Sequence, residues 1–380
     1  MIERIGDTVR TVRERENCSL EDLARRSGVP LPVLTALEQG QPGVTTTQLD
    51  DVAGALSLDP AALLNGREIP RPVPSVFLRH APMQDFDDRD AAVLDEALEQ
   101  GHSLARLRSL LDEPVSALQA GTFTQREAAA DRPKAPAQDG HRLAQEVRRW
   151  LGNAAEPLGD ARALIEARFG VAVLVRTLAS SRVTAAGVRA GTEAAIVLSA
   201  RDAQRASNPL LARVYLAHEL CHVLFDPSPG GLHIVVDVFT DRKKLAAEQR
   251  ARAFAAELLL PQEGLTRMFG EPRAVDRPSA ALDLVTQARG QFGTPHEIAA
   301  NQLCNLRFID LSLREWLEAE GTTFAGAPPE TTLPEGGAPS RLLADHVEQA
   351  HGEGILTDGE AKVILGIDRL APLPWDEGEL

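Results

Sequence analysis

The sequence has few cysteines, no long apolar run and no excess of basic residues. Its three cysteines, Cys18, Cys221 and Cys304, are an odd and scattered set, which argues against a disulfide framework and favours a reducing compartment. No stretch approaches the roughly 18 apolar residues that a membrane-spanning helix needs. The charged start, MIERIGDTVR, lacks the apolar core of a signal peptide. We therefore expect a cytoplasmic protein with no membrane partner.

The charge of the chain is acidic. Its 380 residues carry a formal charge of −15, with a pI of about 5.1. Because non-specific binding to nucleic acid or anionic lipid is driven by basic patches, this balance argues against such a coating function. One small DNA-reading module is still compatible with it. The hydrophobic content of 43% is ample for packed cores, and the length predicts two or three domains.

Changes in composition divide the chain into four predicted segments. Residues 1–66 read as short helices, 67–140 as a helical connector and linker, 141–318 as helices with two strands, and 319–380 as a linker and short helical tail. The predicted helices of the connector are Asp87–Gln100 and Ser103–Leu111, and the predicted strands are VAVLVRTL and AAIVLSA, starting at Val171 and Ala194. The fold class expected is α+β, predominantly helical.

The first segment has the capping and turn residues that are typical of a helix-turn-helix. Ser19 is a suitable N-cap, and Gly28 suits the tight turn after the first helix. The next helix is predicted from Pro32 to Glu38 and ends at Gly40. Two short helices joined by a short turn form the layout of this motif.

The stretch VYLAHELCHVLFD places His218 and His222 one turn apart on the same helix face. Glu219 then lies about 100° round the axis, beside a shared ligand position. An H-E-x-x-H zinc hydrolase uses this spacing: both imidazoles bind the ion, and the glutamate takes a proton from the attacking water. The helix is apolar on most sides and so predicted to be buried. Burying these polar groups without partners costs several kcal/mol, which favours a metal site over a plain core helix.

A catalytic zinc site needs a third protein ligand. In KLAAEQRARAFAAELLLP the apolar stripe consists of Leu245, Ala251, Ala255 and Leu259, and Glu248 falls within it. An ion pair with Arg252 alone gives weak reason to bury Glu248, whereas a metal ion gives a strong one. Glu257, on a more polar face, is expected to be solvated.

These residues resemble the ImmA/IrrE metallopeptidase family over roughly 141–310. That family has H-E-x-x-H, then about two dozen residues, then E-x-x-A-x-x-F-A with a Leu-Leu-x-Pro ending. The matching positions are Glu248, Ala251, Phe254, Ala255, Leu258, Leu259 and Pro261. The resemblance implies a zincin-like domain with a small sheet, zinc as cofactor, His218, His222 and Glu248 as metal ligands, and Glu219 as the catalytic general base.

Two positions depart from the family pattern, which often has glycine at Cys221 and a small polar residue at Arg252. We expect Cys221 to fill core space. Arg252 introduces a competing partner for Glu248 that would weaken it as a ligand. Tyr215, His233 and His296 are candidates to steady the oxyanion, and the sequence does not choose among them.

Residues 19–40 resemble the Xre/Cro-type helix-turn-helix family, in which the second helix enters the DNA major groove. The resemblance is carried by Leu23, Ala24, Gly28, Val29, Leu37, Glu38 and Gly40. The DNA-contact candidates are Arg25, Arg26, Thr35, Gln39 and Gln41, with Arg10 and Arg13 as further phosphate contacts. Residues 1–66 contain six arginines and ten acidic residues, an unusual balance for a DNA binder. A helical domain for dimerisation or partner docking is therefore the alternative.

Together the two resemblances imply a regulatory zinc endopeptidase that cleaves a repressor or antitoxin-like protein to control transcription. Its expected partners are the protein substrate, double-stranded DNA and a second copy of the chain as a homodimer. The alternative is a DNA-binding transcription regulator whose peptidase-like domain senses a ligand or metal without turnover. A weaker third hypothesis is an antitoxin-like partner-binding protein.

Overall fold

The computed structural model describes residues 2–15, 19–41, 43–56, 88–123, 135–179, 183–200, 208–226, 232–238, 246–320, 333, 336–367 and 371–376. Some side chains within these ranges, including that of Arg26 and those of 232–238, are outside the description. The chain divides into two compact units, Met1–Val73 and Pro74–Leu380.

Unit 1 is all-helical. Its helices are α1 (Ile2–Arg15), α2 (Leu20–Ser27), α3 (Leu31–Glu38) and α4 (Thr46–Ala55). The Ser19 hydroxyl accepts a hydrogen bond from the Asp22 amide at 3.0 Å, and Gly28 ends α2 with a φ of 70°. Both agree with the caps expected from the sequence. The helices enclose their own core, which includes Val9, Leu23, Leu34 and Val52.

Unit 2 combines helices with a small sheet, so the predominantly helical α+β class is confirmed. Its helices are α5 (Asp88–Leu110), α6 (Pro136–Trp150), α7 (Ala161–Leu164), α8 (Pro209–Phe225), α9 (Ala246–Leu259), α10 (Gln262–Phe269), α11 (Pro278–Phe292), α12 (His296–Asn305), α13 (Leu311–Glu320), α14 (Arg341–Gly352) and α15 (Asp358–Leu365). A π-helical turn, Ile165–Phe169, extends α7. The strands are β1 (Val171–Arg176), β2 (Val183–Ala190), β3 (Glu193–Ser199) and β4 (Leu232–Val238).

The sheet is mixed, with strand order β1-β3-β2-β4. β1 runs parallel to β3, and β2 is antiparallel to both β3 and β4. The turn between β2 and β3 contains Gly191 with a φ of 60°, a conformation that glycine adopts without steric cost. The pairing of β2 with β4 is irregular between Val183 and Ala186.

Helices cover both faces of this sheet. Alternate strand residues such as Val173 and Ile196 pack on one face against α6, α8 and α9. Their neighbours Leu174 and Val197 pack on the other face against α5, α14 and α15. Because both faces are buried, β1 and β3 read as near-continuous apolar runs.

Residues 88–110 form one helix, so the expected break near 101–103 is wrong. Gly101 lies within α5, where a Cβ atom would stand 2.6 Å from the Ala194 carbonyl oxygen of β3. The glycine therefore serves close packing of a helix on the sheet and not a turn. A lone glycine in a helical pattern allows either interpretation, and the sequence alone did not decide between them.

The segment just before α14 forms hydrogen bonds with α5, with the π-helical turn and with β1. The Ser340 amide donates to Gln100 Oε1 at 2.8 Å, and its hydroxyl donates to Glu166 Oε1 at 2.6 Å. The Arg176 guanidinium donates to the Ala338 carbonyl at 2.7 Å. Helices from the predicted connector and from the predicted tail thus pack on the same sheet face. The four-segment division stays a prediction.

Helices α10 to α13 enclose a separate small core that includes Leu265, Val285, Leu303 and Leu317. In the part of the chain that the structure describes, no helix is both long and apolar enough to cross a membrane.

Candidate metal centre

Helix α8 carries the two histidines in a buried setting. It begins at Pro209, where the Asn208 side chain caps it by accepting from the Leu210 amide at 3.0 Å. Apolar residues on most of its surface bury it between the sheet and α9, as the sequence predicted. His218 is 4% exposed and His222 is fully buried.

Helix α9 brings the third group. Glu248 lies in its first turn and is only 6% exposed, as expected from its place in the apolar stripe. Its Oε2 atom is 3.4 Å from His218 Nε2, and its Oε1 atom is 3.4 Å from His222 Nε2. The two Nε2 atoms are 3.1 Å apart. Three residues predicted from separate motifs therefore meet at one point.

These separations fit a tetrahedral metal ion. Ligand atoms bonded at about 2.0–2.1 Å to a tetrahedral zinc ion lie roughly 3.3 Å apart. Among the described residues, His218, His222 and Glu248 form the group of His, Cys, Asp and Glu side chains able to hold an ion, with all ligand atoms within 4.8 Å. The donor set, two imidazoles and one carboxylate, is of the kind that a catalytic zinc site uses.

The charge state of Glu248 suits a ligand. Burial by itself would raise the pKa of this carboxyl, but hydrogen bonds and charge from His218 and His222 outweigh it and hold the pKa well below its usual range. A deprotonated carboxylate is the form that binds a cation.

Arg252 is a minor neighbour of this carboxylate. Its Nη2 atom is 3.9 Å from Glu248 Oε2, and 44% of its side chain is exposed. A long contact by an exposed guanidinium is screened by water and contributes little. The competition that the sequence raised is therefore weak in this arrangement.

Glu219 stands beside the three-residue group and is fully buried. Its carboxylate faces β2 at Gly187, where a Cβ atom would lie 3.2 Å from Glu219 Oε2. Glycine at this position leaves room for the carboxylate between the helix and the sheet. The structure thus places Glu219 on the helix that carries His218 and His222, with its carboxylate against β2; its role as general base stays a prediction.

Sequence reasoning missed two residues next to the ligands. Asp226 Oδ2 lies 2.7 Å from His222 Nδ1. The other oxygen of Asp226 accepts from Arg250 Nη2 on α9. The signal for Asp226 was available, since it lies four residues after His222 and so on the same helix face.

Two further expectations need correction or assignment. Glu257 is not solvated: it is 1% exposed, and its carboxylate accepts from Gln302 at 2.8 Å and from Gln145 at 3.2 Å.

Cys221 is fully buried, and burial raises the pKa of its thiol to about 12. Cys221 packs within the main core of unit 2, in agreement with the expectation that it fills core space.

The structure describes the surroundings of two of the three oxyanion candidates. Tyr215 is partly buried against the main core of unit 2. His296 Nε2 lies 2.9 Å from the Leu317 carbonyl oxygen, so this nitrogen is engaged in a contact between α12 and α13. The side chain of His233 lies outside the described residues.

The DNA-contact candidates of unit 1 are mostly engaged within the protein. Arg13 makes a two-pronged pair with Glu38, at 2.7 and 2.9 Å. Arg10 donates to the Glu38 carbonyl oxygen, and 42% of its side chain is exposed. Phosphate contact by Arg10 and Arg13 stays a prediction. Arg25 pairs with Asp22.

The other contact candidates lie on or after α3. The Thr35 hydroxyl donates to the Leu31 carbonyl at 2.9 Å, while Gln39 and Gln41 are exposed. Of the candidates, Arg26 has its side chain outside the described residues.

Comparison with known families agrees with this geometry. Residues 166–303, which contain α8 and α9, match a peptidase family described as the IrrE N-terminal-like domain. Residues 9–65 match the Cro/C1-type HTH DNA-binding domain. Both resemblances inferred from the sequence are thereby confirmed. A search of curated proteins and a search of solved structures found no match.

Proposed function

We propose that this chain is a regulatory zinc-dependent metalloendopeptidase. The observation that carries the proposal is the meeting of His218, His222 and Glu248 as a buried group, at separations of 3.1–3.4 Å. The match of the surrounding segment to a peptidase family supports the same reaction class. Three ligands from the protein leave one tetrahedral position for water or substrate, as a hydrolase requires.

The residues divide the work of peptide hydrolysis. A zinc ion held by His218, His222 and Glu248 would polarise the scissile carbonyl and lower the pKa of water towards neutrality. Glu219 would accept the proton of the attacking water and deliver it to the leaving amine. Its burial at the wall formed by Gly187 keeps the carboxylate in one place and limits access of bulk water.

The substrate we propose is a repressor or antitoxin-like protein. Support comes from the presence, in one chain, of a peptidase-like unit and a segment that matches a DNA-binding domain. Unit 1 would bring the enzyme to DNA or to a DNA-bound repressor. The pairing of Arg10 and Arg13 with Glu38 reduces the positive charge available for phosphate, which favours recruitment through a protein partner.

The test compares the wild-type chain with Glu219→Gln in the cells that produce it. New protein N-termini are identified by mass spectrometry, and the zinc content of each purified chain is measured. We expect Glu219→Gln to retain zinc and to lose the N-termini that the wild type generates. Glu263→Gln, an exposed carboxylate of the same unit, is the control and should behave as wild type.

The opposite result would support a different function. If Glu219→Gln binds zinc, yields the same N-termini and keeps all regulatory output, peptide hydrolysis is not the function. The chain would then be a regulator that senses a metal or ligand without turnover.

DNA recruitment has a separate test. The purified chain is used to select from a random library of double-stranded DNA, beside a triple variant, Thr35→Ala, Gln39→Ala, Gln41→Ala. Enrichment of one sequence by the wild type alone would support direct DNA reading. A wild-type chain that enriches no sequence would contradict it, and equal enrichment by both chains would exclude these three side chains as its readers.

A further inference from the structure

A chain of polar contacts joins the two helices that carry the metal-site residues. It begins at His222, whose Nδ1 lies 2.7 Å from Asp226 Oδ2. It continues from the second oxygen of Asp226 to Arg250 Nη2. Arg250 belongs to α9 and lies two residues after Glu248, so the contacts run from one ligand-bearing helix to the other.

The position of Arg250 is itself fixed by packing. Helix α6 crosses α9 at Gly140, where a Cβ atom would stand only 2.1 Å from the Arg250 carbonyl oxygen. The Arg250 side chain is 15% exposed and that of Asp226 is 6% exposed. The ion pair is therefore held between packed helices, and it differs in this from the exposed surface pairs of the molecule.

From these contacts we infer that Asp226 and Arg250 are positioning residues of the metal site. Asp226 accepts a hydrogen bond from His222 Nδ1, so Nε2 is the ring nitrogen left to bind a metal ion at the shared ligand point. Arg250 holds the Asp226 carboxylate in place and fixes the start of α9, so that Glu248 meets the histidines. The inference rests on the proposed function, since it assumes that zinc occupies the site.

General chemistry supports this assignment. A histidine ligand usually donates its second ring proton to a carboxylate or carbonyl, which fixes its tautomer and orientation and raises its basicity. A buried carboxylate without a cationic partner is costly, and Arg250 supplies that partner for Asp226. The alternative is a helix-end ion pair that adds stability and has no influence on metal binding.

The experiment measures the zinc dissociation constant of the full chain by competition with a chromophoric chelator. Asp226→Asn removes the charge with almost no change of shape, and Arg250→Met removes the cation at similar length. We expect zinc binding to weaken roughly 10–100-fold in both variants. Arg267→Met is the control, because this guanidinium is 59% exposed and pairs with Glu156 and Glu263; it should stay within about twofold of wild type.

A second readout separates positioning from stability. Each chain is loaded with cobalt(II), whose visible absorption reports ligand geometry, and the metal-free chains are checked by circular dichroism. We expect Asp226→Asn and Arg250→Met to change the cobalt spectrum, with Arg267→Met unchanged. If Arg250→Met does not fold, Arg250→Lys, which keeps the charge, replaces it and should show a smaller loss of zinc affinity than Asp226→Asn.

The outcomes are distinct. Folded Asp226→Asn and Arg250→Met chains with wild-type zinc affinity and cobalt spectrum would overturn the inference and leave the proposed function standing. A wild-type chain that binds no zinc would overturn the proposed function, and the inference with it.

Discussion

Two glutamates on α9 show how neighbouring groups determine the role of a buried carboxylate. Glu248 faces two imidazole nitrogens at 3.4 Å, atoms that bind metal ions. Glu257, nine residues later, faces the side-chain amides of Gln302 and Gln145, which satisfy it as hydrogen-bond donors. The first carboxylate therefore faces groups that can share a metal ion with it, whereas the second faces hydrogen-bond donors of the protein.

Cys221 lies between Glu219 and His222 in sequence, yet we predict that it is chemically inert. Its thiol is fully buried and its pKa is raised to about 12, so almost no reactive thiolate forms near neutral pH. In a Cys18→Ser, Cys304→Ser chain, a disulfide reagent should label Cys221 only after unfolding. Rapid labelling of the folded chain would show that the helix face is open.

The metal-site residues could be predicted because their spacing is local. His218, Glu219 and His222 lie on one helix, and Glu248 breaks an apolar stripe on another. Arg250 and the burial of Glu257 could not be predicted in this way, because their partners come from other helices. The pairing of Arg10 and Arg13 with Glu38 was missed for the same reason.

Within the secondary-structure elements, glycines mark the closest approaches. Gly101 lets α5 approach β3, Gly140 lets α6 approach α9, and Gly187 makes room for Glu219. At each of these positions a side chain would meet a neighbouring atom at 3.2 Å or less. The absence of a Cβ is therefore a packing requirement there.

We predict opposite effects for two alanine substitutions in helices of unit 2. Gly101→Ala places a methyl group 2.6 Å from the Ala194 carbonyl oxygen and should lower the free energy of unfolding by about 1–3 kcal/mol. Gly290→Ala, in α11, meets no atom within 4 Å and should raise it by about 0.5–1 kcal/mol. Denaturant titration of both chains measures the difference. Equal changes would contradict the packing role of Gly101.

The elements themselves were predictable to different degrees. β1 and β3 were predicted because both are rich in Val, Ile and Leu. β2, with the sequence VTAAGVRA, was missed, since alanine and glycine have little strand propensity and its order comes from pairing with β3 and β4. The start of α6 at Pro136 lies in a stretch whose composition indicated a linker.

At the scale of the whole molecule, segments that are far apart in the sequence pack against the same face of the sheet. α5 precedes the matched peptidase segment and α14 follows it, yet both pack on the same sheet face. Contacts of Ser340 with Gln100 and Glu166 join them. Helices α14 and α15, here called the late helices, therefore contribute to the stability of the sheet that supports α8.

We predict that the late helices are essential to unit 2. Val347 of α14 is fully buried in the core that includes Leu174 and Val197, whereas Val363 of α15 is 67% exposed. Val347→Asp should lower the free energy of unfolding by about 4 kcal/mol, because a carboxyl would be buried without a partner. Val363→Asp should leave it unchanged within about 0.5 kcal/mol. Similar stabilities of the two chains would contradict a structural role for α14.

The central claim is that His218, His222 and Glu248 hold one metal ion. The most direct measurement is the metal content of the purified chain by mass spectrometry, before and after exposure to zinc, with His218→Ala as control. We expect about one zinc ion per wild-type chain and almost none in the control, because two protein ligands hold zinc weakly. A folded wild-type chain that binds no zinc, or a control that binds as much, would contradict the account.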